Sequence, residues 1–117
     1  MHLRLFAQKA LDEGRVRIER GELSPVREGG RIDVYEQEVR FVGDSGQEYS
    51  RMSSVGVRRG EEPVGRDDCA LVAEDLRDTI ATIDGPLDSR RSFWAGVFPS
   101  RGEFDEIGRL VGLESDD

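Results

Sequence analysis

The sequence predicts an α+β domain with a mostly antiparallel sheet of four or five strands and helices packed on one face of it. The sheet is built around a hairpin at residues 31–58, where two strand-like runs flank a short turn containing glycine. Helices are indicated by apolar residues at helical spacing, most clearly near residues 68–83. The chain has 117 residues, which is the length of one domain; we assign it to residues 1–113, followed by an acidic tail at 114–117.

The first two elements are a helix and an edge strand. Apolar side chains recur at helical spacing through residues 2–13, and Gly14 stands where a helix C-cap belongs. Val16 and Ile18 then alternate with charged residues, which is typical of an edge strand with a charged outer face. Residues 21–30 contain three glycines and a proline, so we expect a connection there.

The hairpin has a well-defined turn. Asp44-Ser45-Gly46 suits a type I turn followed by a glycine with positive φ. In the first strand, Tyr35, Val39 and Phe41 share one face, whereas Ile32 and Val34 fall on the other. This change of phase predicts a bulge near Tyr35, or a strand that is covered on both faces at its start.

The same turn resembles the frame of the nucleophilic serine in trypsin-like serine proteases. Gly43 to Gly46 read Gly-Asp-Ser-Gly, but Gln47 and Glu48 follow where that family has glycine and proline. The only histidine is His2, at the start of the chain, so no general base is indicated for Ser45. We therefore interpret the motif as a turn.

A helix over residues 68–83 is predicted, with Asp67 as its N-cap. Its apolar stripe should pack on the sheet, while Glu74, Asp75 and Asp78 lie in an acidic band away from that stripe. Such a band is either a solvated face or a contact surface for a basic partner, and both interpretations stay open.

The stretch from Ser92 to Phe98 is the most apolar of the chain, and we expect a strand there. As a strand it is apolar on both faces, with Trp94 and Phe98 on one of them, so one face should meet the core. The other must be covered by a helix or by another molecule, and core and interface roles for Trp94 stay open. A last helix opens near Ser100.

The net charge of the chain restricts the classes of partner that it can bind. The chain carries a net charge of −8, of which −1 falls in residues 1–65 and −7 in residues 66–117. Direct binding to nucleic acid is disfavoured, because phosphate neutralisation needs clustered cations. The charged N-terminus is not a signal peptide, one cysteine cannot form an internal disulfide, and no apolar run reaches the length of a membrane span. We expect a cytoplasmic protein.

No motif indicates a catalytic or metal site. Asp84 and Asp88 flank a turn without the spacing of a calcium loop, and zinc lacks its usual ligands. Cys69 lies near a helix start, but its place on the apolar stripe favours a core role over a reactive one. The loop at 58–66 is either a solvated loop or part of an anion site; the arginines in or near it are Arg51, Arg58, Arg59 and Arg66.

The function that we predict is non-enzymatic protein binding, as an inhibitor, immunity protein or chaperone-like adaptor, with no cofactor and no metal. The partner would be a protein with a basic surface, and a homodimer is left open. The predicted contact residues are Glu74, Asp75, Asp78, Trp94 and Phe98. One alternative is a structural subunit of a larger assembly such as a phage particle. A third hypothesis is a small enzyme that relies on carboxylates.

Overall fold

The computed structural model describes residues 2–62, 66–81, 89–98 and 100–114. The elements run in the order α1 (His2–Asp12), β1 (Val16–Arg27), β2 (Ile32–Gly43), β3 (Glu48–Arg58), α2 (Asp68–Ala81), α3 (Ser89–Val97) and α4 (Arg101–Glu114). The α+β class and the hairpin are therefore confirmed. The Gly46 φ of 88° confirms the turn as well.

The sheet is antiparallel, with the strand order β1-β2-β3. It has three strands in the described part of the chain, one fewer than the smaller number that the sequence predicted. The expected extra strand was the run from Ser92 to Phe98, which lies in α3 and in the residue after it. A helix gathers Phe93, Trp94 and Val97 on one buried side and leaves intervening residues exposed. A strand would have needed cover on both faces.

β1 is longer than predicted. It continues to Arg27, so the connection expected over residues 21–30 is shorter and follows the strand. The pairing of β1 with β2 shifts between Arg20 and Leu23 and again between Pro25 and Arg27. An edge strand tolerates proline and bulges, because one side of its backbone has no neighbouring strand. The pairing of β2 with β3 is unbroken, so the irregularity lies in β1 and not in β2 near Tyr35.

The core lies between one face of the sheet and the helices. Val16, Val39 and Phe41 point from the sheet into this layer, and their cross-strand partners share the same face. Residues from all of the helices join them, as predicted for α1 and α2; the helical members are Leu3, Ala7, Ala10, Leu71, Val72, Ala73, Leu76, Ile80, Phe93, Trp94, Val97 and Ile107. The opposite face is charged: Arg40 pairs there with Glu19 and Glu38.

α2 begins as the sequence predicted. The Ala70 amide donates a hydrogen bond of 2.7 Å to Asp67 Oδ1, which makes Asp67 the N-cap. The predicted last two residues of this helix and the turn that should end it, Asp84 to Pro86, lie outside the described residues. So does most of the acidic tail. In the described segments, every helix is too short or too polar to cross a membrane.

Candidate functional site

Three residues that the sequence assigned to a binding surface lie close together where α2 and α3 pack on the sheet. Asp75 of α2 and Trp94 of α3 have no exposed area. Asp78 lies on α2, three residues after Asp75, and contacts the same arginine. Arg51 of β3 and Arg90 of α3 complete the group. We call these five residues the Asp75 cluster. It joins α2 and α3 to the edge strand β3.

The Asp75 carboxylate accepts hydrogen bonds at both oxygens. Arg51 donates to Oδ1 at 2.7 Å and Arg90 donates to the same oxygen at 2.8 Å. The indole nitrogen of Trp94 donates to Oδ2. The Thr79 hydroxyl, one turn further along α2, donates to the main-chain oxygen of Asp75 at 2.6 Å. A carboxylate buried without such donors would cost several kcal/mol, so these bonds explain how it is retained in the core.

The two arginines are held from other sides as well. Asp78 Oδ2 lies 3.3 Å from Arg51 and 3.9 Å from Arg90, and the Arg90 guanidinium lies 5.8 Å from the centre of the Tyr49 ring. Burial acts to lower the pKa of Arg51, but its hydrogen bonds and charge interactions with Asp75 and Asp78 outweigh burial and raise that pKa. Arg51 therefore carries a permanent charge facing the two carboxylates.

This arrangement fixes helices onto the sheet and offers little surface to a partner. Of the residues predicted to contact one, Asp75, Trp94 and Phe98 are buried. Glu74 and Asp78 are half-buried and each forms an ion pair with arginine, Glu74 with Arg66. Trp94 thus belongs to the core, which was one of the two interpretations left open. Whether any of these residues binds a partner stays a prediction.

Sequence reasoning missed Thr79 and Arg90, and it grouped Arg51 with the loop at 58–66 instead of with Asp75. Arg51 alternates in phase with Tyr49, so the strand period places both on the core face. Thr79 follows Asp75 by four residues, and the two flank the apolar stripe of α2. These spacings were visible in the sequence, but only the packing of α3 against β3 brings Arg90 to the same carboxylate.

A concave surface lies elsewhere, where α1, β1 and the start of α2 meet. We call it the α1–β1 cleft. Its apolar lining comes mainly from Leu11, Val16, Ile18 and Leu23, and Leu23 is still 38% exposed. The described residues that line it are Arg4, Gln8, Leu11, Val16, Arg17, Ile18, Arg20, Leu23, Gln37, Arg66, Asp67, Asp68 and Cys69.

The rim of this cleft is basic although the chain is acidic. It carries Arg4, Arg20 and Arg66, whereas the side chain of Arg17 pairs with Glu19 on the opposite face of the sheet. Asp67 lies 3.6 Å from Arg4, and Asp68 lies 2.8 Å from Arg20. Each guanidinium has five N–H groups, so one ion pair leaves donors for a ligand. The side chains of Arg4 and Arg66 are 59% and 58% exposed, which keeps those donors accessible.

The carboxylates and the thiol of the cleft have local structural roles. Asp67 caps α2, and Asp68 binds Arg20, whose other guanidinium nitrogen donates to the main-chain oxygen of Arg66 at 2.7 Å. The thiol of Cys69 donates to the main-chain oxygen of Arg4 at 3.4 Å and packs against the core. These contacts agree with the core role that we predicted for Cys69.

The arginines once grouped around the loop at 58–66 do not converge. Arg51 belongs to the Asp75 cluster and Arg66 to the cleft. Arg58 and Arg59 are exposed at the far end of β3. Among the described residues, no group of three or more histidine, cysteine or acidic side chains is placed to hold a metal ion. Asp84 and Asp88 lie outside that part of the chain.

No protein-family model matches this sequence, and neither does any curated protein or solved structure.

Proposed function

We propose that the protein is a small non-enzymatic binding module that holds a segment of another protein in the α1–β1 cleft. The supporting observation is the combination of an apolar floor with an arginine rim in one concave surface of an acidic chain. An apolar side chain of the partner would rest on Leu11, Ile18 and Leu23. Carboxylates on either side of it would meet the rim arginines.

The charge of this partner differs from the one that the sequence favoured. A basic partner was expected from the acidic band of α2, but in that band Glu74 faces Arg66, and Asp78 faces Arg51 and Arg90. Little negative charge is left there to attract a cation. The cleft instead brings three arginines, Arg4, Arg20 and Arg66, together with two aspartates, so an acidic segment is the better complement.

The enzyme hypothesis receives less support from the same cleft. Asp67 and Asp68 are adjacent carboxylates in a concave surface, as a carboxylate-dependent enzyme would need. One of them caps a helix and the other binds Arg20. Both are thus engaged in holding the start of α2 in place.

A displayed library of random peptides, selected against the immobilised full-length chain, tests the proposal. We expect the enriched peptides to combine aspartate or glutamate with a bulky apolar residue. Arg4→Glu and Leu23→Asp should each weaken the binding of a selected peptide about tenfold, because they remove one rim donor and part of the floor. Circular dichroism should show that both variants remain folded, since both side chains are exposed.

Matched controls lie outside the cleft. Arg27→Glu changes an exposed arginine of β1 that does not line the cleft, and Leu5→Asp changes an exposed leucine of α1. Neither should alter peptide binding. Enrichment of basic peptides would contradict the proposal and would favour the acidic band of α2 as the binding surface. Equal losses in the cleft variants and in the controls would also contradict it.

A further inference from the structure

The outer edge of β3 carries main-chain groups that no other strand meets within the described residues. Hydrogen bonds from Gly43 N to Gln47 O and from Arg59 N to Arg31 O mark both ends of the pairing between β2 and β3. In an antiparallel pair the bonded positions alternate, so the odd-numbered residues of β3 bond to β2. The even-numbered residues therefore direct their N–H and C=O groups away from the sheet.

Four consecutive outward positions are Ser50, Met52, Ser54 and Gly56. All four residues are exposed. Across the described segments, the outward main-chain groups of these residues form no hydrogen bond. They form a regular row of donors and acceptors that is a template for another strand.

The two edges of this sheet differ in how they resist such pairing. The β1 edge contains Pro25, two register shifts and several charged side chains, which are the devices that keep an edge from accepting a strand. The β3 edge has no proline, and its register with β2 is unbroken from Glu48 to Arg58. Between those two terminal charges, the outward positions hold only serine, methionine and glycine.

We propose that β3 pairs with the β3 strand of a second copy of this chain, antiparallel and about a two-fold axis, to form one continuous six-stranded sheet. Full overlap of the two strands places Glu48 opposite Arg58 of the second copy, once at each end. Ser50 then lies opposite Gly56, and Met52 opposite Ser54. Outward residues face outward residues in this register, as hydrogen bonding requires.

The second copy is the occupant that the charges and the side chains favour. A symmetric pairing forms the attraction between Glu48 and Arg58 twice, once at each end of the interface. Met52 is 54% exposed in the single chain. In the proposed register the two Met52 side chains become diagonal neighbours and cover one another. The inference does not rest on the proposed function, because β3 contributes no residue to the α1–β1 cleft.

Light scattering coupled to size-exclusion chromatography tests the pairing on the full chain. We expect a mass of twice 13.1 kDa at micromolar concentration. Glu48→Arg and Arg58→Glu should each weaken the dimer about tenfold, because each places like charges opposite one another at both ends. The double variant restores opposite charges and should restore the dimer. Arg59→Glu changes the exposed neighbour of Arg58 and serves as the control.

Hydrogen exchange gives a second measurement that does not depend on a variant. The amides of Met52, Ser54 and Gly56 should exchange fast in dilute protein and become protected as the concentration rises. Met52→Lys, which places a charge on the edge, should abolish this protection while circular dichroism stays unchanged. A monomer at all concentrations would overturn the proposal. So would a mass that grows beyond two copies, or a dimer that the double variant does not restore.

Discussion

Replacing Asp75 by asparagine tests whether the Asp75 cluster holds α2 and α3 on the sheet. The substitution keeps the shape of the side chain and removes its charge. Arg51 and Arg90 then lose their 2.7 and 2.8 Å partner, although their side chains are only 28% and 23% exposed. The amide has one acceptor oxygen and cannot serve both the arginines and the Trp94 indole.

The expected cost follows from this burial. Breaking a buried ion pair by removing one partner costs about 3–5 kcal/mol. The arginines retain some contact with water and with Asp78, so we expect the lower end, about 3 kcal/mol, in the free energy of unfolding. Domains of this size are stable by about 5–15 kcal/mol. At about 4 °C per kcal/mol, the melting temperature should fall by roughly 12 °C.

Urea unfolding followed by the fluorescence of Trp94 gives the free energy directly, because Trp94 is the only tryptophan. Asp78→Asn is the matched control. Its side chain is 45% exposed and its arginine distances are longer, so it should cost less than about 1 kcal/mol. The double variant Asp75→Asn, Arg51→Met should be more stable than the sum of the two single losses indicates, since the residues share one network.

A loss below about 1 kcal/mol for Asp75→Asn would refute this reasoning, because a fully buried carboxylate that binds two largely buried arginines cannot be that weakly coupled to them. Equal losses for Asp75→Asn and Asp78→Asn would refute it as well. In that case the carboxylates would act through net charge, and the geometry of the cluster would be irrelevant.

Two further predictions concern Trp94 and Glu103. Trp94→Phe keeps an aromatic ring but removes the donor to Asp75, so unfolding followed by circular dichroism should show a loss of at least about 1–3 kcal/mol; an unchanged midpoint would contradict the indole bond. The hydrogen bond from Lys9, with help from Arg15, lowers the pKa of Glu103 below its usual 4.5. This contact therefore stabilises the fold above pH 4.5 and is lost as the pH falls through the lowered pKa. Glu103→Gln should be less stable than the natural chain at pH 7, by at most about 1 kcal/mol, and equally stable in acid; a gap that persists in acid would contradict the assignment.

Local patterns were sufficient for much of the fold. The hairpin followed from strand periodicity and from the turn glycine Gly46, whose φ is positive in the structure. α2 followed from its apolar stripe and from the Asp67 cap, and both are confirmed. These features depend on residues that are close in the chain, so the sequence contains the whole of the relevant interaction.

The segment from Ser92 to Phe98 shows where local patterns fail. Its apolar residues suit a strand and a helix about equally, because a short apolar run has no distinctive period. The sheet favours the helix, because its apolar face at Val39 and Phe41 is covered by a helix that presents one apolar side. β1 gained its second half in the same way, because β2 offered free hydrogen-bonding groups along its full length.

The sequence by itself determined the α+β class, the hairpin, most helices and the uneven charge. Only the tertiary structure decided what the charged residues do. Helical phase placed Asp75 near the polar side of α2. Arg51, Arg90 and Trp94 nevertheless approach it from β3 and α3, and their hydrogen bonds offset the desolvation cost of burying its carboxylate. A carboxylate is solvated or buried according to its partners, and these partners lie 15 to 24 residues away along the chain.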